Sequence, residues 1–158
     1  MLRELISRQF QLQAVKATED FVTNKSMQNI LAIPNGPDLN FLLGLLNSRL
    51  VSWYFLRKSN IAQRDDFPKI VLRESRALPI RPIDLNDPTD RERHDRMIAL
   101  VQQMLDLNAR LPQVNTGYDR TAMQRQIDAT DRQIDRLVYE LYDLSEEEIR
   151  LVEEATNQ

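Results

Sequence analysis

The hydrophobic residues in the first third of the chain follow two patterns. Apolar and polar side chains alternate over residues 9–16, which is typical of a half-buried strand. A second strand is predicted over residues 27–33, and the Pro-Asn-Gly-Pro sequence at 34–37 ends it in a turn. Leucines then recur every three or four residues over 39–56, which predicts a buried helix with Asp38 as its N-terminal cap.

The middle of the chain has no long periodic segment. Short extended stretches are predicted around residues 67–73 and 78–83. Pro79 and Pro82 restrict the second stretch to an edge strand or irregular structure, because proline cannot donate a hydrogen bond to a sheet.

The C-terminal half is rich in charged and helix-forming residues. Thr89 and Glu92 form a capping-box pattern, so a helix is predicted from there to residue 111, where a proline follows. Apolar residues recur at alternating spacings of four and three over 123–144, which predicts a second helix. Two apolar stripes joined by a short loop indicate an antiparallel helical hairpin.

Ser145 and Glu148 form another capping box, which predicts a last short helix after the hairpin. Together these patterns predict an α+β chain in two parts. Residues 1–87 would form a small lobe with a few strands and one buried helix. Residues 88–158 would form the long antiparallel hairpin and the terminal helix.

The charges are distributed unevenly along the chain. The formal net charge of −3 argues only weakly against a nucleic-acid partner. Residues 1–48 are neutral in sum, residues 49–81 carry +5 and residues 84–158 carry −8. The basic segment also contains aromatic residues, a composition that suits phosphate contacts. An ordinary solvated face above an aromatic core explains the same composition equally well.

The sequence contains none of several common catalytic motifs. It has no cysteine, which excludes disulfides and thiolate zinc sites. It also lacks a glycine-rich cofactor loop, the Asn/Asp-Pro-Pro-aromatic tetrapeptide of amino-methyltransferases and a Gly-x-Ser-x-Gly elbow. We therefore expect no catalysis, no cofactor and no metal site in this chain itself.

Two groups of ionisable residues have simple structural interpretations. His94 lies beside Asp95 near a predicted helix start, and we interpret it as a solvated helix residue. Asp128, Asp131 and Asp135 are interspersed with arginines at helical spacing. This pattern predicts a ladder of ion pairs on the surface rather than a metal site.

The longest apolar run covers only a few residues, and the N-terminus lacks the apolar core of a signal peptide. We therefore expect a cytoplasmic protein without a membrane partner.

Five segments carry a further signal: Val-Thr-Asn-Lys-Ser at 22–26, Leu-Gly-Leu-Leu-Asn-Ser-Arg-Leu at 43–50, Phe-Pro-Lys-Ile at 67–70, Leu-Pro-Ile at 78–80 and the tail at 134–149. These segments resemble the C-terminal target recognition domains of type IIG restriction-modification enzymes and adenine-specific DNA methyltransferases, which are similar to the specificity subunits of type I systems. They occur in the family's order over roughly residues 20–155, which is more specific than any one of them.

The resemblance implies a non-catalytic module that recognises a DNA sequence for an adenine methyltransferase, often together with an endonuclease. Its partners would be double-stranded DNA and that methyltransferase or endonuclease domain or subunit. S-adenosylmethionine would be the cofactor of the catalytic part, which is missing from this chain. Asn24 is the candidate base reader, and the other candidate DNA-binding residues are Lys25, Arg49, Arg57, Lys58, Arg64, Lys69 and Arg73.

The sequence departs from the family pattern at Asp143, where glycine is usual, and at Arg81, where proline is common. Without the expected upstream domain, the chain would be a fragment, a remnant or a separate specificity subunit. The alternative function is a protein-protein interaction module that does not bind DNA. In that case residues 123–144 would pair with another chain, for example in a homodimer, although burial within the hairpin is favoured.

Overall fold

In the computed structural model of the protein, the described residues are 1–4, 11–17, 19–20, 22–59 and 70–156. Helices dominate this part of the chain, and a two-stranded sheet accompanies them. The predicted α+β class is therefore confirmed at this coarse level.

The sheet consists of β1 (Leu2–Arg3) and β2 (Met27–Gln28), which pair antiparallel with Leu2 opposite Gln28. On the other side of β1, Leu2 forms a single β-bridge with Ala14. Strand β1 therefore lies between the two segments in which the sequence predicts strands. The hydrophobic pattern did not predict β1 itself.

Both predicted strands are shorter than expected. Within residues 9–16, residues 9 and 10 lie outside the described part, and Ala14 forms the bridge. In the second segment, residues 29–33 are exposed and form no strand. They pair with no strand in the described part of the chain, and an extended segment needs such a partner for its backbone groups. The predicted turn follows, with a left-handed Asn35 at φ 60°.

The predicted helix over 39–56 is two helices, α1 (Leu39–Asn47) and α2 (Arg49–Lys58). Asp38 caps α1 as predicted, since its carboxylate accepts from the N–H groups of Asn40 and Phe41. The break falls at Ser48, which is extended at φ −68° and ψ 153°. Its hydroxyl donates to the carbonyl of Leu45 and accepts from the N–H of Val51, so one side chain ends α1 and begins α2.

Where it is described, the region around residues 67–73 forms no strand, although Val71 is extended, at φ −98° and ψ 155°. Residues 67–69 lie outside the described part, and Leu72–Ser75 forms a short helix, α3. The carboxylate of Glu74 accepts from the N–H of Val71, which satisfies a backbone donor at the start of this helix. Residues 78–83 have no regular secondary structure, as their prolines predict.

The C-terminal half contains α4 (Pro88–Arg110), α5 (Gly117–Leu141) and α6 (Glu146–Thr156). Helix α4 begins before the predicted Thr89 box, because Asp87 caps it and Pro88 occupies its first position. Helices α4 and α5 run along each other, and Arg96 near the start of α4 lies 3.7 Å from Glu140 near the end of α5. The two helices are therefore antiparallel.

The turn after α5 explains the departure at Asp143. The N–H of Leu144 donates to the carbonyl of Tyr139, and the N–H of Asp143 donates to that of Glu140. This is the Schellman arrangement, in which the residue after the helix cap adopts the left-handed conformation that glycine favours. Asp143 adopts it at φ 52°. The predicted capping box of Ser145 and Glu148 then begins α6.

One hydrophobic core joins the two halves of the chain. Helix α1 packs on α4, and α2 packs on α5 and α6. Buried residues come from both halves and include Leu2, Phe41, Leu45, Met97, Leu137 and Val152. The N-terminal segment and the hairpin therefore depend on each other for burial, whereas a division into two domains at residue 87 stays a prediction.

Candidate nucleic-acid interface

The C-terminal end of α2 carries two exposed cations, Arg57 and Lys58. The guanidinium of Arg57 lies 5.6 Å from the ring centroid of Trp53, a cation–π contact that restrains its position. Cations in the last turn of a helix are favoured by the helix dipole. This end of α2 therefore holds two positive charges at the surface.

Helix α3 is held beside this end of α2. The hydroxyl of Ser59, directly after α2, donates to the carboxylate of Glu74 over 2.8 Å. Helix α3 and the residue after it expose Arg73 and Arg76. A cleft of about 250 Å³ separates the two helices, and Tyr54 and Lys58 are among its lining residues. The fold thus brings four exposed cations to neighbouring helix ends.

The predicted base reader Asn24 and its neighbour Lys25 lie on an exposed turn before β2. The side-chain oxygen of Asn24 accepts hydrogen bonds from the N–H and the hydroxyl of Ser26, which fixes the turn. After this turn, the side chain of Gln28 accepts from Ser75 over 2.6 Å and donates to the carbonyl of Ile70. Strand β2 therefore connects the turn to helix α3.

The structure places Arg49 differently from the other candidates. Its Nε lies 3.1 Å from a carboxylate oxygen of Asp135, and its side chain is 24% exposed. The remaining candidates in the described part, Asn24, Lys25, Arg57, Lys58 and Arg73, are exposed. Arg64 and Lys69 lie outside the described residues. Contact of any of these residues with DNA stays a prediction.

Asp135 is the functional candidate that the sequence pattern misassigned. The predicted surface ladder is wrong for this residue, which is 5% exposed and faces α2. The available signal was its position among apolar neighbours, since Ile134, Leu137 and Val138 are all buried. Burial raises the pKa of the Asp135 carboxyl to about 6, although the N–H of Arg49 opposes the rise.

Tyr142 links two segments that carry the family resemblance. Its hydroxyl donates to the carbonyl of Pro79 over 2.7 Å and accepts from the N–H of Arg81 over 3.2 Å. Arg81 in turn forms an ion pair with Asp90, and the N–H of Asp84 donates to the same carboxylate. These hydrogen bonds lower the pKa of Asp90. The Leu-Pro-Ile segment is thereby fixed against the end of α5.

Asn47 performs a similar role in the Leu-Asn-Ser-Arg-Leu segment. Its side-chain oxygen accepts from the N–H of Ala14 over 2.7 Å, and its amide group donates to the carbonyl of Ala14 over 3.0 Å. The hydroxyl of Ser52 accepts from the N–H of Leu12. Polar residues of α1 and α2 therefore satisfy the backbone of the segment beside β1.

Among the described residues, no three His, Cys, Asp or Glu side chains lie close enough together to hold a metal ion. His94 packs on Phe41 with ring centroids 5.4 Å apart, and its Nδ1 lies 3.0 Å from Asp95. Within the described residues, no helix is long and apolar enough to cross a membrane.

The fold and these segments define a small helix-rich domain with exposed cations at the ends of α2 and α3. Its residues 2–80 match the model of the TaqI-like C-terminal specificity domain, and the chain belongs to this family. The resemblance predicted from the sequence is thereby confirmed. The match ends before α4, so the helical hairpin lies outside it.

One relative is a protein of Methanocaldococcus jannaschii named "Putative type II restriction enzyme and methyltransferase". It is 36% identical over 80 residues, which are 50% of this chain and 7% of the relative. The chain therefore corresponds to a small part of that protein. No solved structure gives a significant match.

Proposed function

We propose that this chain is the DNA recognition module of a restriction-modification enzyme and positions a separate catalytic part on its target site. Its membership of a specificity-domain family is the observation that carries the proposal. The name of the relative, which combines restriction enzyme and methyltransferase, supports the same class. In this proposal the catalytic part, and not this chain, binds S-adenosylmethionine.

The cations at the ends of α2 and α3 support the assignment of a DNA-facing surface. Arg57, Lys58, Arg73 and Arg76 are exposed and belong to the segment that matches the family. Exposed Lys and Arg provide the sequence-independent part of DNA affinity by neutralising phosphates. In this proposal Lys25 adds a phosphate contact, and the nearby amide of Asn24 reads a base edge.

The experiment is a salt titration of DNA binding by fluorescence anisotropy, with the full chain and a labelled duplex. For an Arg57→Glu/Lys58→Glu variant we expect at least a tenfold weaker affinity on every duplex. We also expect the slope of log affinity against log salt to fall by about two, because each phosphate contact contributes about 0.9.

The matched control reverses two exposed arginines on α5 in an Arg125→Glu/Arg132→Glu variant, with the same change in net charge. We expect this control to bind DNA nearly as well as the wild type. Equal affinities of wild type and Arg57→Glu/Lys58→Glu would refute the assigned surface. Equal losses in both variants would show that net charge, and not this surface, governs binding.

A further inference from the structure

Asp135 forms a polar contact between α5 and the start of α2. One carboxylate oxygen accepts from the N–H of Arg49 over 2.9 Å, and the other lies 3.1 Å from Nε of the same residue. Because Arg49 is the first residue of α2, both contacts act on the N-terminal end of that helix. A single carboxylate thus fixes this helix end in two directions.

The surroundings of Asp135 are apolar and acidic. Its side chain is 7% exposed, and the facing charged or titratable groups are Arg49 from α2, Asp131 and Tyr139 from α5 and Glu153 from α6. Arg49 is the only cation among these facing groups. Tyr139 has a buried hydroxyl with no hydrogen-bond partner among the described residues.

A buried carboxylate in this setting does not stabilise the fold by itself. Desolvation raises its pKa from an ordinary value of 3.8 to about 6. The folded chain therefore binds this proton more tightly than the unfolded chain does. The protonated carboxyl adds to the stability of the fold at low pH, and that gain is lost as the pH rises through about 6. Replacing a buried ion pair by apolar residues of similar size is often neutral or stabilising.

We propose that Asp135 is a positioning residue, which fixes α2 on the helical hairpin and thereby sets where Arg57 and Lys58 stand. The ionised carboxylate forms an ion pair with the guanidinium of Arg49, and protonation weakens this contact. The position of α2 therefore depends on pH. Only the assignment of DNA contact to Arg57 and Lys58 rests on the proposed function.

Trp53 provides a direct readout because it is the single tryptophan of the chain and lies one turn after Arg49 on α2. We expect the emission of Trp53 to change between pH 4.5 and 7.5 with a midpoint near 6. In an Asp135→Asn variant this transition should disappear, since the amide does not titrate. An Asp128→Asn variant makes the same substitution at an exposed position of α5 and should keep the transition.

His94, the single histidine of the chain, packs on Phe41 of α1 and receives its own control. A His94→Gln variant should retain the transition. The proposal is overturned if the wild type shows no transition in Trp53 emission, or if the transition survives in Asp135→Asn or vanishes in His94→Gln.

An apolar replacement separates positioning from stability. In an Arg49→Met/Asp135→Leu variant we expect a urea midpoint equal to or above that of the wild type at pH 7. Its Trp53 emission should nevertheless differ from that of the wild type, and its DNA affinity should be about tenfold weaker. Unchanged emission and unchanged affinity in this variant would overturn the proposal.

The two proposals fail in different ways. If the wild-type chain binds no duplex at low salt, the proposed function fails, while the Trp53 titration still tests Asp135 without DNA. If DNA binding depends on Arg57 and Lys58 but the Asp135 variants leave Trp53 unaffected, the positioning role fails and the DNA-binding surface stands.

Discussion

Two tyrosines three residues apart near the end of α5 have opposite environments. The hydroxyl of Tyr139 is buried without a hydrogen-bond partner among the described residues, whereas that of Tyr142 contacts both Pro79 and Arg81. Burial raises the pKa of both phenols, so each hydroxyl stays protonated at neutral pH. The same chemical change at the two positions should therefore have effects of opposite sign.

We expect Tyr139→Phe to stabilise the chain by about 1 kcal/mol, because it removes an unsatisfied buried hydroxyl. Tyr142→Phe should destabilise it by about 1–2 kcal/mol, because it leaves a backbone donor and a carbonyl without their partner. Urea unfolding followed by circular dichroism measures both values. Equal effects of the two substitutions would contradict this interpretation of the hydroxyls.

At this scale the sequence predicted local contacts well and distant ones poorly. Asp38 and Ser145 cap helices whose N–H groups lie two or three residues away, and both caps are read from adjacent sequence. The partner of Asp135 is 86 residues away. Helical spacing placed arginines near Asp135 on its own helix, but only the docking of α2 decides that the carboxylate is buried.

Helices α1 and α4 cross closely at Gly44. A Cβ atom at this position would lie 2.5 Å from Sδ of Met97 and 3.0 Å from Cγ2 of Val101. Met97 is fully buried, so it has little room to move aside. The absence of a side chain at Gly44 is therefore what allows the two helices to approach.

We expect Gly44→Ala to destabilise the chain by up to about 2 kcal/mol, because overpacking costs more than the roughly 1 kcal/mol that alanine gains over glycine in a helix. The control is Gly117→Ala at the start of α5, where an added Cβ meets no atom within 4 Å. This control should be neutral or stabilising in the same urea titration. A stabilised Gly44→Ala variant would show that α1 and α4 have room for a methyl group between them.

The element boundaries show where sequence patterns lose information. The leucine spacing continues across residues 39–56, so it could not reveal the break at Ser48, which depends on a side-chain hydroxyl serving both helices. Residues 29–33 have the composition of a strand, but strand formation also requires a neighbour. Helices α4 and α5 were predicted within a few residues because their periodicity is long and their contacts are mutual.

The whole chain should be a monomer in solution. The C-terminal part of the apolar stripe of α5 is buried within the molecule, since Ile134, Leu137 and Leu141 lie in the shared core. Sedimentation velocity at several concentrations should give a constant mass of 18.5 kDa. A mass that rises with concentration would instead favour the alternative in which this helix pairs with a second copy.

The shared core also limits which segments related chains could exchange. If residues 1–80 were replaced by those of a related chain, the α1 and α2 of that chain would have to pack on the α4, α5 and α6 of this one. The exchanged segment would need a small residue facing Met97 and a cation facing Asp135. An exchange that retains the fold should therefore move the hairpin together with the matched segment, so the smallest unit that can be exchanged is longer than residues 2–80.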